Sequence, residues 1–198
     1  MRVIGITGPT GAGKTTALHV LGDLGAEVVD ADQLYHRLLR ESGELKATLT
    51  KAFGKNILNG EGEVDRKCLA DAVYPHRLEE LNAITHPAVV AAVEEGIAAA
   101  REGERPALAI DAIALVESGL VCKCDAVVAV LAPKELRLRR IIARDGIDEA
   151  YARRRVEAQQ PDSFYRAHAD HILENRPEDT PESFAQRAKT LFQWLLAP

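Results

Sequence analysis

Residues Gly8-Pro9-Thr10-Gly11-Ala12-Gly13-Lys14-Thr15 follow the spacing G-x-x-x-x-G-K-[ST]. Glycines let the backbone curl until successive N–H groups point into one hollow, where they bind phosphate oxygens. A helix opening near Lys14 adds the positive end of its dipole. Lys14 is then placed to reach β- and γ-phosphates, and the Thr15 hydroxyl to ligate Mg2+. A second feature follows closely. Val28-Val29-Asp30-Ala31-Asp32 puts two carboxylates at the carboxyl end of an apolar run, the edge where open α/β sheets bind ligands. A carboxylate there either takes the proton of an attacking hydroxyl or caps the next helix, and the spacing leaves both uses open. Residues two apart on extended chain share a face, so each carboxylate would set the other's surroundings. The third feature is charge. Lys134 to Arg155 holds eight basic and four acidic residues in a chain of net charge −5. That excess calls for a small polyanion, or else forms a solvated face on which arginines pair with Asp145, Asp148 and Glu149.

The elements that must carry these residues are legible in outline. Arg2 to Thr7 reads as a buried strand, Lys14 to Leu24 as a helix stopped by Gly25, and Glu27 to Val29 as a second strand. This is the β-loop-α-β opening of a parallel sheet. From Gln33 to about Glu102 the pattern is helical. Asp65 caps a helix running toward Tyr74, and Pro87 stands at the first position of a helix over Ala88 to Ala100. Strand character returns at Ala107 to Ile110 and Ala126 to Leu131. The spacing then predicts a helix over Lys134 to Arg144, with Leu138, Ile141 and Ile142 on one side and arginines on the other. Asp145-Gly146 breaks it, and an Arg-rich helix runs on toward Pro161. His171 to Leu173 reads as a last strand, and Thr180-Pro181-Glu182 starts a closing helix that buries Phe184, Leu191 and Leu195.

Composition narrows the class of protein. The 198 residues are 46% hydrophobic and 28% charged, which supplies a core and excludes a disordered chain. A mildly acidic chain is not built to coat nucleic acid or an anionic membrane. Three cysteines, Cys68, Cys122 and Cys124, are too few and too odd in number for a disulfide framework. Neither a signal peptide nor a membrane span is expected, and the location expected is cytoplasmic. The chain lacks the Asn-Lys-x-Asp segment of a guanine reader, and Asp111 is followed by Ala112, not by a second acid. A small-molecule kinase is therefore favoured over a GTPase or a motor.

The motifs together resemble the dephospho-CoA kinase family. Thr7-Gly8, Gly11-x-Gly13-Lys14-Thr15-Thr16 and Val29-Asp30-Ala31-Asp32 carry the resemblance first. It continues through Phe53-Gly54, Val64-Asp65-Arg66, Leu81-Asn82-x-Ile84-x-His86-Pro87, Cys124-Asp125, Arg140, Arg144-Asp145-Gly146, Gln159, Ala169-Asp170 and Asn175, spanning about residues 2 to 175. It implies a P-loop NTPase fold, α/β, with a short parallel five-stranded sheet flanked by helices. It also implies a nucleotide core (1–32, 103–133 and 166–198), a helical acceptor-binding insertion (33–102) and an Arg-rich helical lid (134–165). The implied reaction moves the γ-phosphoryl of MgATP to the ribose 3′-hydroxyl of dephospho-CoA. By that resemblance Gly8, Gly11, Ala12, Gly13, Lys14, Thr15 and Thr16 hold ATP, and Thr15 also holds the metal. Arg140 and Arg144 belong to the lid, with Lys14 and Arg140 acting in catalysis. Asp32 is the base, and Asp65, Arg66 and His86 lie near the acceptor, although His86 before Pro87 could equally cap a helix. Departures from the family pattern fall at Ile113-Ala114-Leu115-Val116-Glu117, Glu61-Gly62, Tyr165 and the residues after Asn175. The alternatives are another small-metabolite or nucleoside kinase, or a non-catalytic ATP-binding regulator.

Overall fold

Runs that are apolar throughout become the central strands, covered on both faces. In the computed structural model, which describes residues 1–197, the strands are β1 (Arg2–Thr7), β2 (Glu27–Asp30), β3 (Ala107–Asp111), β4 (Ala126–Leu131) and β5 (His171–Glu174). They form one sheet of order β2-β3-β1-β4-β5. β1 pairs in parallel with β3 and β4, and β4 with β5. The uninterrupted burial of β1 from Val3 to Thr7 is the mark of a parallel strand with helices on either side. Two aspartates pin the amino edge of the sheet: Val3 N–H donates to Asp125 Oδ2 at 2.7 Å, and Val127 N–H to Asp170 Oδ2 at 2.8 Å. Both lie at the opposite end of the strands from the Gly8–Thr15 loop. Their place in the family pattern is therefore a matter of strand register.

The helices are α1 (Lys14–Asp23), α2 (Ala31–Glu41), α3 (Gly43–Phe53), α4 (Arg66–Val73), α5 (Leu78–Glu102), α6 (Lys134–Asp145), α7 (Glu149–Glu157), α8 (Asp162–His168) and α9 (Pro181–Leu196). The chain divides into two compact units, Met1–Val29 with the residues from Ile97 onward, and Asp30–Gly96. In the first, α1 and α9 pack on one face of the sheet. Ile4, Ile6, Val128 and Val130 meet Ala17, Leu21, Phe184, Ala188 and Phe192 there. Ala129 and Leu131 point the other way, onto Tyr165 of α8. A satellite core of Leu138, Ile141, Ala152 and Val156 joins α6 to α7. The second unit has a core of its own, built from Leu39, Leu45, Leu49, Phe53, Ile57, Leu69 and Val73.

Several expectations need correction. Pro87 does not start a helix; it lies inside α5, which begins at Leu78. An internal proline costs about 3 kcal/mol, and here that is offset by a buried stripe of Thr85, Val89, Val93, Ile97 and Ala100 running through the site of the break. His86 accordingly lies inside a helix and does not precede the start of one. A further short helix, α8, follows Pro161, and Tyr165 holds it to the sheet. In α9 the fully covered residues are Phe184, Ala188 and Phe192, while Leu191 and Leu195 are only partly covered. Leu49 is completely buried in the Asp30–Gly96 core. Leu49→Ala should therefore destabilise the protein by about 2–5 kcal/mol, measured by urea denaturation.

Candidate active site

β1 lies between β3 and β4, so the loop leaving its carboxyl end sits where the strand order reverses, the usual ligand crevice of such sheets. Gly8 makes the first turn at φ +131, and a Cβ there would lie 2.1 Å from the Val130 carbonyl oxygen. Only glycine lets the loop leave β1 that close to β4. Gly13 then precedes the first residue of α1, whose leading amides have no carbonyl a turn earlier to bond. Gly11, Gly13, Lys14, Thr15 and Thr16 line a cavity of about 530 Å³, and Ala12 is wholly buried behind it. Arg140, Arg144, Arg155 and Asp111 complete its charged wall, with Asn175 and Phe184 beside them.

The loop's outward carbonyls are all engaged. Lys14 Nζ donates to Gly8 O at 3.1 Å, and Ala12 N–H to Pro9 O at 3.2 Å. Arg137 Nε donates to Thr10 O at 3.2 Å, and Arg140 Nη1 to Gly11 O at 3.2 Å. Asn175 Nδ2 donates to Ala12 O at 3.1 Å, while its Oδ1 accepts from Arg140 Nη2 at 3.1 Å. Asn175 is buried at the end of β5, in the position that a loop residue must occupy to reach Ala12. Burial lowers the pKa of the Arg140 guanidinium, and Asp179 partly offsets this. Arginines of α6 are thus not all on its outer side. Arg137 is 4% exposed.

Part of the positive charge is neutralised locally. Asp145 accepts from Arg144 Nε and Arg155 Nη1, both at 2.6 Å, and these partners, Arg144 first, pull its carboxyl down to about 2. Arg153 pairs with Glu149, and Lys134 with Glu157. Asp148, expected as a partner, caps α7 by accepting from Tyr151 N–H. These pairs are largely exposed, so water and salt screen most of their attraction. Arg137, whose Nη1 stands 3.8 Å from Asp162, and Arg140 point instead at the loop.

The two carboxylates after β2 have separate fates. Asp30 caps α2, accepting from Gln33 N–H and Gln33 Nε2, both at 2.9 Å. The chain turns helical at Ala31, so Asp32 lies in the first turn of α2 and is exposed. The two aspartates do not share an extended face. Asp65 caps α4, and the Cys68 N–H it accepts at 2.8 Å lowers its carboxyl pKa. Arg66 follows, exposed, and its charge partly offsets the burial that raises the Tyr35 phenol. His86 is half-buried on α5. Cys122 and Cys124 lie beside β4, and burial lifts the Cys124 thiol to about 12, which leaves it unreactive. Among the described residues no cluster of three or more His, Cys, Asp or Glu could hold a metal. Mg2+ suits the site nonetheless, because it takes few protein ligands and keeps its waters, and Thr15 and Asp111 line one cavity. Asp111 was not among the expected ligands; its position at the end of β3, next to β1, was the available signal.

The closeness of Gly8 to β4 gives a direct test of the loop. Gly8→Ala should destabilise the protein by about 2 kcal/mol or more, read by urea denaturation, because the clash is with backbone and no rotamer change relieves it.

The profile of the dephospho-CoA kinase family matches residues 2–180. A dephospho-CoA kinase of Dehalococcoides mccartyi is 36% identical over 177 residues, covering 88% of this chain and 89% of that one. One of Anaeromyxobacter dehalogenans is 38% identical over 193 residues, covering 96% and 90%. Among solved structures, TT1252 from Thermus thermophilus superposes with a TM-score of 0.82 at 32% identity, covering 100% of this chain and 98% of that one. With the phosphate loop, the cationic cavity and these relatives in view, the chain belongs to the dephospho-CoA kinase family, kinases that transfer a phosphoryl group to a hydroxyl.

Proposed function

We propose that the chain transfers the γ-phosphoryl group of ATP to the ribose 3′-hydroxyl of dephospho-CoA, giving CoA and ADP. The observation that carries this reading is the cavity in which the phosphate loop, Lys14 and Arg140 converge. The loop amides and the start of α1 hold the phosphates, and Lys14 exchanges its bond to Gly8 O for the β- and γ-phosphates. Arg140 and Arg144 neutralise charge as it shifts toward the leaving group. Thr15 and Asp111, which line the same cavity, would hold Mg2+, and the ion would supply charge neutralisation to the phosphates.

The acceptor oxygen attacks the γ-phosphorus, the bond from that phosphorus to the bridging oxygen breaks, and ADP leaves. The hydroxyl proton passes to the Asp32 carboxylate. That assignment is supported by the division of labour after β2, where Asp30 is the helix cap and Asp32 is exposed in the first turn. We assign the acceptor to the helical segment 33–102, with Asp65, Arg66 and His86 near it, and the lid to 134–165. Catalysis is then chiefly positioning and electrostatics. The three free thiols suit a reducing cytoplasmic setting.

ADP release, measured with and without dephospho-CoA and with CoA identified by mass, tests the reaction; no acceptor-dependent release would overturn it. Lys14→Ala should abolish turnover while the chain stays folded, as checked by circular dichroism. Asp32→Asn should lower kcat by about 10²-fold or more with little change in the KM for ATP. If Asp30→Asn is instead the more damaging and Asp32→Asn nearly silent, the assignment of the base is wrong.

A further inference from the structure

Arg137 and Gln159 lie outside the cavity lining, yet between them they engage every polar group of Thr10, at the crest of the phosphate loop. Arg137 Nε donates to the Thr10 carbonyl at 3.2 Å. Gln159 Oε1 accepts from the Thr10 N–H at 3.1 Å, and Gln159 Nε2 donates to Thr10 Oγ1 at 2.7 Å. The two clamp residues also hold each other, Arg137 Nη2 donating to the same Gln159 Oε1 at 2.8 Å. The loop is pressed against this clamp, since a Cβ on Gly11 would lie 2.9 Å from the Arg137 carbonyl oxygen.

Holding α6 against the loop does not require this arrangement. Burying a guanidinium is unfavourable, as the lowered pKa of Arg137 records. Its one carboxylate, Asp162, stands 3.8 Å away with a half-exposed side chain. Apolar side chains of similar volume would pack the two elements together with a smaller desolvation penalty. What only donors can do is fix the direction of the Thr10 carbonyl. A trans peptide is planar, with C=O and the following N–H pointing opposite ways. Anchoring the Thr10 carbonyl outward therefore aims the Gly11 N–H inward, and Gly11 lines the cavity.

We propose that Arg137 and Gln159 are positioning residues for phosphoryl transfer, which hold the crest of the loop so that its amides face the nucleotide phosphates. Neither touches substrate; both act through Thr10. The inference rests on the reading that the loop holds the phosphates of ATP.

The test uses the full chain and begins with calorimetric binding of ADP to the wild type. Gln159→Leu keeps the volume and removes the bonds. It should weaken ADP binding on the order of tenfold, and both raise the KM for ATP and lower kcat, at a temperature well below its melting point. A purely structural role would lower the melting temperature and leave binding and both constants within twofold of wild type, which would overturn the proposal. Thr10→Val combined with Gln159→Leu should be little worse than Gln159→Leu alone, because the two share one set of bonds; fully additive losses would also overturn it. Lys14→Ala separates the two levels of the argument. If it loses turnover while Gln159→Leu behaves as wild type, the clamp falls and the nucleotide reading stands. If the wild type does not bind ADP, both fall.

Discussion

A loop that turns its amides inward onto phosphate must turn its carbonyls outward, and each of those carbonyls then needs a donor where a sheet offers none. The structure meets this demand from four places: Lys14 for Gly8, Arg137 for Thr10, Arg140 for Gly11 and Asn175 for Ala12. Unpaired, each buried carbonyl would cost on the order of 1–3 kcal/mol. The placement of α6, and of Asn175 at the end of β5, follows from that requirement. Arg137 and Arg140 are three apart on α6, so one face of one helix serves two successive carbonyls.

The basic stretch reads differently once its partners are known. Asp145 bridges Arg144 and Arg155, Glu149 takes Arg153 and Glu157 takes Lys134, so much of the local excess is surface pairing of small energy. The arginines that matter most to the loop are the two that donate to its carbonyls, Arg137 and Arg140. One of them, Arg137, is nearly fully buried, a state that an amphipathic reading of α6 assigns to Leu138, Ile141 and Ile142.

Motif membership does not by itself separate chemistry from construction. Asp125 and Asp170 share the family pattern with the phosphate loop, yet they accept N–H groups of Val3 and Val127 and pin the far edge of the sheet. Asp30 and Asp65 are helix caps by geometry. Asp32, two residues from one such cap, lies within the first turn of α2 and is the residue we assign to the acceptor hydroxyl.

Local physics made much of this legible in the residues themselves. Continuous apolar runs marked the strands of a sheet covered on both faces, Gly8 to Thr15 marked the phosphate loop, and the caps at Asp65 and Thr180 marked helix starts, because each depends on neighbours a few residues away. Pro87 shows the limit: a local helix-start signal yielded to a buried stripe that only the folded core supplies. The same holds for the donors to the loop. Gln159 and Arg137 meet Thr10 across 149 and 127 residues, and Asn175 meets Ala12 across 163. No periodicity or spacing encodes such pairs, since what joins them is the order of strands in the sheet and the demand of a loop carbonyl for a donor. The residue types at the phosphate site were determined by the sequence alone; which side chains hold that site in shape was decided by the tertiary structure.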